Sequence, residues 1–303
     1  MYDVPDQQGR TFVVTGANSG LGKEAAARLA GAGAHVVMAV RTVAKGQAAR
    51  DEITRRHPDA SLDVRAVDLA DLGSVRAFVA GLERDGVRPN VLVNNAGVMA
   101  VPSRMTTVDG FELQWGTNVL GPFALTNLLL PTLLTADTAR VVTMSSATAS
   151  FGRIDFADLD STRRYTPSQA YAQSKLANLL LGLRLAEVAT QRGWSLLSTI
   201  AHPGYTNTNL QTAGASLGRS APKRTLLTSG GFLPTQEVEQ GSEPLLFAAA
   251  DPDAVNGAYY GPDGRFGLVG PTTRVAIPRS ARGASLARSL WAVAEDLTGT
   301  SLP

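Results

Sequence analysis

Cysteine is absent from the 303 residues, which excludes disulfides, Cys-ligated metals and a thiol nucleophile. Histidine is scarce. His35, His57 and His202 are the only three, and no two stand at a metal-ligand spacing. Charge of one sign is lacking too: 28 Lys and Arg face 26 Asp and Glu, for a formal net charge of +2. No run of five like charges occurs, so nucleic acid is not an expected partner. Long apolar runs are missing. No stretch of 18 residues is free of polar groups, which argues against a transmembrane helix. Met1 to Arg10 is polar and shows no signal-peptide pattern, so a cytoplasmic location is expected. Lysine is rare, four against 24 arginines, a compositional bias that carries no functional information.

What is present is a large apolar fraction, 44% of the chain, enough for a sizeable core. Short apolar runs recur at 11–16, 34–40, 62–67, 91–94, 139–145 and 195–201, and a last one begins at 258–260. Between them lie helical patterns at 23–32, 42–56, 74–84, 111–134 and 169–192, the fourth interrupted near Gly121-Pro122. Strands alternating with helices predict βαβ units on a parallel sheet. No repeat or linker divides the chain, so residues 1–303 read as a single α/β domain. Residues 205–235 are rich in Gly, Thr, Ser and Leu and weakly periodic, the pattern of a candidate substrate lid. Residues 261–303 form a C-terminal extension.

The first apolar run ends in Thr15-Gly16-Ala17-Asn18-Ser19-Gly20-Leu21-Gly22. Glycines directly after a strand and opening a helix let the backbone approach a pyrophosphate, with helix N–H groups as donors. The spacing is G-x-x-x-G-x-G rather than the usual dinucleotide fingerprint. An acid at the end of the second strand would favour a free ribose 2′-hydroxyl. That strand ends Val40-Arg41-Thr42 instead. A guanidinium suits a 2′-phosphate, so Arg41 points to NADP(H). Asp68 and Leu69, after the third strand, face either the adenine or a plain strand-end turn.

Residues 171–175 read Tyr-Ala-Gln-Ser-Lys. Positions i and i+4 share a helix face, so Tyr171 and Lys175 can serve one site. A free phenol titrates near pH ~10, and an ammonium beside it would lower that by roughly 1–3 units, toward useful general acid–base catalysis.

These pieces, with Asn94-Asn95-Ala96-Gly97, Asn118, Ser145-Ser146 and Pro203-Gly204-Tyr205-Thr206-Asn207-Thr208, lie in an order that resembles the short-chain dehydrogenase/reductase family over most of the chain. The phrasing TGANSGLG, AVR at 39–41 and YAQSKLANLL is most similar to its retinol-dehydrogenase-like and WW-domain-oxidoreductase-like branch, although no WW domain is present. The resemblance implies a Rossmann-type, doubly wound parallel sheet of about seven strands with helices on both faces. It implies an enzyme that moves a hydride between nicotinamide C4 and an alcohol or carbonyl carbon, with NADP(H) preferred.

The resemblance also implies roles. Tyr171 would be the general acid/base. Lys175 would lower its pKa and hold the nicotinamide ribose, Ser146 rather than Ser145 would bond the substrate oxygen, and Asn118 would anchor a water leading to Lys175. Gly16, Asn18, Ser19, Gly20, Leu21, Gly22, Arg41, Asp68, Leu69, Asn94, Ala96, Gly97, Tyr171 and Lys175 would line the cofactor. Pro203, Gly204, Thr206 and Thr208 would meet the nicotinamide carboxamide, although the family often has Val or Ile where Thr206 stands. Ser146 and Tyr171 lie 25 residues apart, a wider gap than many relatives have. The extra 151–168 piece is expected at the substrate rim.

His202 is read as packed near the cofactor rather than as a base, and the tryptophans as core or interface. The substrate is expected to be a mostly apolar carbonyl or alcohol, and homo-oligomers through the Tyr171 helix are a family habit. The main competing reading is a catalytically silent cofactor-binding regulator on the same fold. Its signature would be loss of Tyr171 or Lys175, and both are intact.

Overall fold

The computed structural model describes residues 1–206 and 234–303. Eight strands form one sheet: β1 (Thr11–Thr15), β2 (His35–Val40), β3 (Ser61–Ala66), β4 (Val91–Asn94), β5 (Ala139–Met144), β6 (Leu196–Ala201), β7 (Tyr259–Pro262) and β8 (Thr272–Arg274). Their spatial order is β3-β2-β1-β4-β5-β6-β7-β8. The first seven run parallel, in line with the expected seven-stranded sheet, and β8 adds an antiparallel edge. Three residues, Thr-Thr-Arg, are too short and polar to announce a strand.

The helices are α1 (Gly20–Gly31), α2 (Val43–Arg56), α3 (Leu72–Arg84), α4 (Leu113–Trp115), α5 (Gly121–Leu133), α6 (Pro167–Arg192), α7 (Val238–Gly241), α8 (Glu243–Ala250) and α9 (Ala284–Thr298). They cover both faces of the sheet, which is why the strands read as nearly continuous apolar runs. Phe12, Val14, Val36 and Met38 pack on one side with α1 and α8. Val13, Val37, Leu92 and Val141 pack on the other with α3, α5, α6 and α9. The two longest-range signals at helix ends follow capping rules. Pro167 opens α6, and Gly193 closes it in the left-handed region at φ 64°.

The chain winds outward from β1 to β3 and then returns, so that β4 lies on the other side of β1. The crevice between β1 and β4 is the topological switch point at which such sheets bind ligands. Asn118 lies in a wide π turn, Gly116–Leu120, that joins α4 to α5. Its cause is legible: Pro122 has no N–H to give the Asn118 carbonyl, and the Gly121 N–H reaches back to Gly116 instead. The interruption read near Gly121-Pro122 is therefore real, and it widens the helix rather than ending it.

The C-terminal extension contributes β8 and α9. Ala287, Leu290, Trp291 and Ala294 of α9 are buried against α5 and α6, and Trp291 meets Phe123 edge-on at 4.8 Å. Among the described residues no helix is long and apolar enough to cross a membrane. The candidate lid lies outside the described residues except for its two ends. These are joined: Thr206 bridges Gln236, whose N–H donates to the Tyr205 carbonyl at 3.0 Å.

Candidate active site

The glycine-rich turn is held from three directions. Gly16 and Gly20 adopt φ values of 70° and 52°, open to glycine and strained for other residues. The Gly16 N–H donates to Ala39 of β2 at 2.8 Å. The Thr15 hydroxyl donates to the Val93 carbonyl at 3.2 Å and accepts from the Asn95 and Ala96 N–H groups, each at 3.0 Å. The Asn95 amide returns a bond to the Thr15 carbonyl at 2.8 Å. A Cβ on Gly22 would lie 2.5 Å from the Asn95 amide nitrogen, so only glycine lets α1 approach this closely. Thr15 and Asn95 lie inside the quoted motifs but were given no role in the sequence reading. They splice the turn to β4 across the switch point.

Ser19 caps α1 with extended backbone, yet its side chain makes no capping bond, and the first turn holds no acid. The N–H groups of Gly20, Leu21 and Gly22 therefore receive no side-chain acceptor from the cap, which suits an incoming phosphate. Asn18 is half-buried within the same turn. A dinucleotide pyrophosphate fits this cradle by shape and by donor chemistry. Arg41 follows β2 beside it, exposed and without an ion pair or hydrogen bond among the described residues. Asp68 behaves as a turn residue: its carboxylate accepts from the Ala70 N–H at 2.9 Å. Leu69 is buried, with its carbonyl against Gly121.

The catalytic candidates meet at the ends of β5 and α6. The Ser146 hydroxyl lies close enough to the Tyr171 phenol to lower its pKa. Ser145 donates to the Lys175 carbonyl at 2.8 Å, so of the pair Ser146 is the one whose hydroxyl is left toward Tyr171. The Lys175 ammonium is buried and donates to the Met144 carbonyl at 3.0 Å. Asn118 is buried and locked: it accepts from the Val98 N–H at 2.7 Å and donates to the Val98 carbonyl and the Ser174 hydroxyl. Gly97 lies between Asn118 and Lys175, and a Cβ there would be 3.0 Å from the Asn118 side-chain Oδ1 and 3.7 Å from the ammonium.

The electrostatics differ from the simple expectation. Burial pushes the Tyr171 phenol up to about 12, and the Ser146 hydroxyl draws it partly back. The lowering expected from Lys175 does not dominate here. Its Nζ lies 5.8 Å from the centre of the Tyr171 ring and is engaged by the Met144 carbonyl. Burial brings Lys175 itself down to about 8.

Three further expectations resolve by position. The Asn94 amide donates to Thr126 of α5 at 2.9 Å, so its side chain braces the sheet on that helix and is not brought to the turn. Pro203 and Gly204 follow β6, and Gly204 is held at φ 63° with the Leu268 carbonyl where a Cβ would stand. The Thr206 hydroxyl is committed to the Pro203 carbonyl at 2.6 Å, and Gln236 donates to the same carbonyl at 2.9 Å. Thr208 lies outside the described residues. His202 is buried and held down to about 4 by that burial, so it is neutral and packed, as read from the sequence.

The sequence model of the short chain dehydrogenase family matches residues 10–216. The chain belongs to this family. Within it the chain falls in the retinol-dehydrogenase-like branch. It is 39% identical over 302 residues to polyprenol dehydrogenase of Mus musculus, covering 98% of this chain and 86% of that protein. It is 37% identical to retinol dehydrogenase 14 of Mus musculus, covering 96% and 86%. Among solved structures it resembles an uncharacterized protein from Mycobacterium paratuberculosis, at 44% identity and a TM-score of 0.80, covering 99% of this chain and 97% of that one. A gluconate 5-dehydrogenase from Beutenbergia cavernae, solved with bound NADP, matches at 26% identity and a TM-score of 0.63, covering 84% and 95%. This short-chain dehydrogenase is accordingly an oxidoreductase whose structural relatives use nicotinamide cofactors.

The 151–168 piece that separates Ser146 from Tyr171 is ordered and pinned. Arg104 donates to the Asp160 carbonyl at 2.8 Å, and the Glu112 N–H donates to the Asp160 carboxylate at 2.9 Å. Gln173 of α6 donates to the Leu159 carbonyl and accepts from the Asp155 N–H, both at 3.0 Å. Gln114 reaches the Tyr165 hydroxyl and the Pro167 carbonyl at 3.1 Å. Gln114 and Gln236 lie outside the quoted motifs and Gln173 is an unassigned position within one, so only the structure shows their part in framing the site.

Proposed function

We propose that this chain is an NADP(H)-dependent oxidoreductase acting on an apolar carbonyl or its alcohol, with Tyr171 as the general acid/base. The observation that carries the reading is that Ser146, Tyr171 and the buried Lys175 come together at the ends of β5 and α6, across the switch point from a turn whose open N–H groups suit a phosphate. Gly16, Ser19, Gly20, Leu21 and Gly22 would hold the pyrophosphate, and Lys175 the nicotinamide ribose. When bound, the nicotinamide supplies or accepts the hydride. The chain's own residues handle the oxygen. Ser146 donates a hydrogen bond as negative charge grows on it. Tyr171, protonated well above neutral pH, delivers its phenolic proton to that oxygen. A phenol held up to about 12 by burial is protonated at neutral pH. Asn118, bound on both sides by Val98, fixes the loop that faces Lys175.

Two observations support the finer assignments. Arg41 stands exposed and, among the described residues, unpaired at the end of β2 where an acid would select NAD, and the Beutenbergia relative was solved with NADP. For the substrate, the similar proteins of Mus musculus are named for polyprenol and for retinol. The chain itself exposes Phe151, five residues after Ser146, and Phe266, in the loop whose Leu268 carbonyl accepts from Tyr205. Equilibrium binding of NADPH and NADH to the wild type and to Arg41→Ala tests the cofactor choice. A bidentate guanidinium–phosphate contact is worth about 1.5–3 kcal/mol, so NADPH should bind roughly 10–100-fold more weakly to the variant with NADH unaffected. Equal loss for both cofactors would remove Arg41 from the argument.

A further inference from the structure

Tyr259 opens β7, is only 4% exposed, and has no part in the reading above. Its hydroxyl donates to the Ser146 carbonyl at 3.3 Å. The Ser145 hydroxyl lies against the same phenol, and Tyr171 is close enough to perturb it electrostatically. Burial raises its pKa, so the group remains a donor throughout the working pH range. The ring packs against His202 at 5.0 Å, and the His202 Nδ1 accepts from the Gly204 N–H at 3.3 Å. Tyr259 thus ties the end of β5, which carries Ser146, to the end of β6, which leads into Pro203 and Gly204.

The surroundings explain why a hydroxyl is needed there. Tyr259 forms part of the wall of a cavity of about 510 Å³ between α6 and the 274–287 segment, lined also by Leu183, Val275, Ile277 and Ala287. The ring is buried and packed near His202, and what its hydroxyl adds is a second donor, beside the Ala149 N–H at 3.0 Å, on the Ser146 carbonyl. That carbonyl is also where the extended Ser146 backbone (φ −158°, ψ 156°) passes into the tight turn Ala147–Phe151, so holding it holds the direction of the Ser146 side chain.

We propose that Tyr259 is a positioning residue for Ser146: it fixes the Ser146 peptide so that the hydroxyl meets both Tyr171 and the substrate oxygen. The proposal rests on the roles given above to Ser146 and Tyr171. It is tested with the full chain as Tyr259→Phe, Ser146→Ala and the double variant, following NADPH consumption with retinaldehyde and measuring NADPH binding directly.

Loss of one positioning hydrogen bond should lower kcat about 5–10-fold in Tyr259→Phe, with NADPH affinity unchanged. On the Ser146→Ala background the second substitution should add nothing, because its effect passes through Ser146. Multiplying effects, or wild-type kcat in Tyr259→Phe beside an impaired Ser146→Ala, overturn the proposal and leave the proposed function standing. Wild-type turnover in Ser146→Ala overturns the role of Ser146 and this proposal with it. A readout free of substrate is amide exchange across 145–149, which should quicken several-fold in Tyr259→Phe; unchanged exchange also overturns the proposal.

Discussion

His202 shows at the residue scale how burial becomes a pH dependence. Its imidazole is 4% exposed, wedged against Gly261 and Tyr259, and held down to about 4. In the unfolded chain it titrates near 6.5. Between those values the unfolded state binds a proton that the native state refuses, so stability is full above pH ~6.5 and falls as pH drops toward ~4. The loss is about 3 kcal/mol at most for a shift of this size. Urea unfolding of the wild type and His202→Asn at pH 7 and pH 4.5 isolates it. The difference in stability between the two pH values should be smaller in the variant, and an equal difference would show that His202 is not the group responsible.

The same scale explains what a sequence can say about a site. Gly16, Gly20, Gly22, Ser146, Tyr171 and Lys175 announce themselves because they stand in short motifs whose residue types suit a recognisable task. Thr15 and Asn95 were in plain view, but their bonds cross from β1 to β4, and no local pattern shows which strands are neighbours. The tuning of Tyr171 is not legible in the sequence for a related reason. Sequence spacing puts an ammonium four residues from a phenol, whereas the balance depends on how deeply both are buried and on the Met144 carbonyl.

At the scale of elements, the 151–168 segment is a wall built onto the front of α6. Its centre is Asp160, which receives bonds from two separate parts of the chain, Arg104 at its carbonyl and the Glu112 N–H at its carboxylate. Glu112 in turn caps α4 by accepting from the Gln114 and Trp115 N–H groups at 2.9 and 2.7 Å. Asp160→Ala should therefore loosen the wall and the start of the helix that leads to Asn118. We expect about 1–2 kcal/mol less stability in urea unfolding and a several-fold higher KM for an apolar carbonyl, with kcat less affected. An unchanged KM would detach this wall from substrate binding.

Elements with a clean period were legible to within a residue or two: β4 at 91–94 was read as it stands, and α6 was read as 169–192 against Pro167–Arg192. The elements after β6 were mostly missed. Glu-Pro-Leu-Leu-Phe-Ala-Ala-Ala of α8 is apolar all round and has no 3.6-residue signal, and β8 is three residues long. α9 does carry an apolar stripe at 287, 290, 291 and 294, so there a readable signal was passed over.

For the whole molecule, the winding of the sheet brings together groups that lie far apart in sequence. The reversal between β1 and β4 sets the phosphate turn beside the Asn94–Gly97 segment, and the parallel order of β4, β5 and β6 carries Ser146 and Pro203 to the same edge. α9 closes the opposite requirement, covering the apolar surface of α5 and α6 with the chain's own Leu290 and Trp291.

The central claim is that this assembly places a protonated phenol where a carbonyl oxygen receives its proton. The most direct measurement is NADPH-dependent reduction of retinaldehyde by the wild type and Tyr171→Phe, with circular dichroism to confirm the fold and NADPH binding to confirm the cradle. The account predicts turnover lower by about 10²–10⁴ in the variant, with fold and cofactor affinity preserved. A correctly folded, NADPH-binding Tyr171→Phe that turns over like the wild type would contradict it.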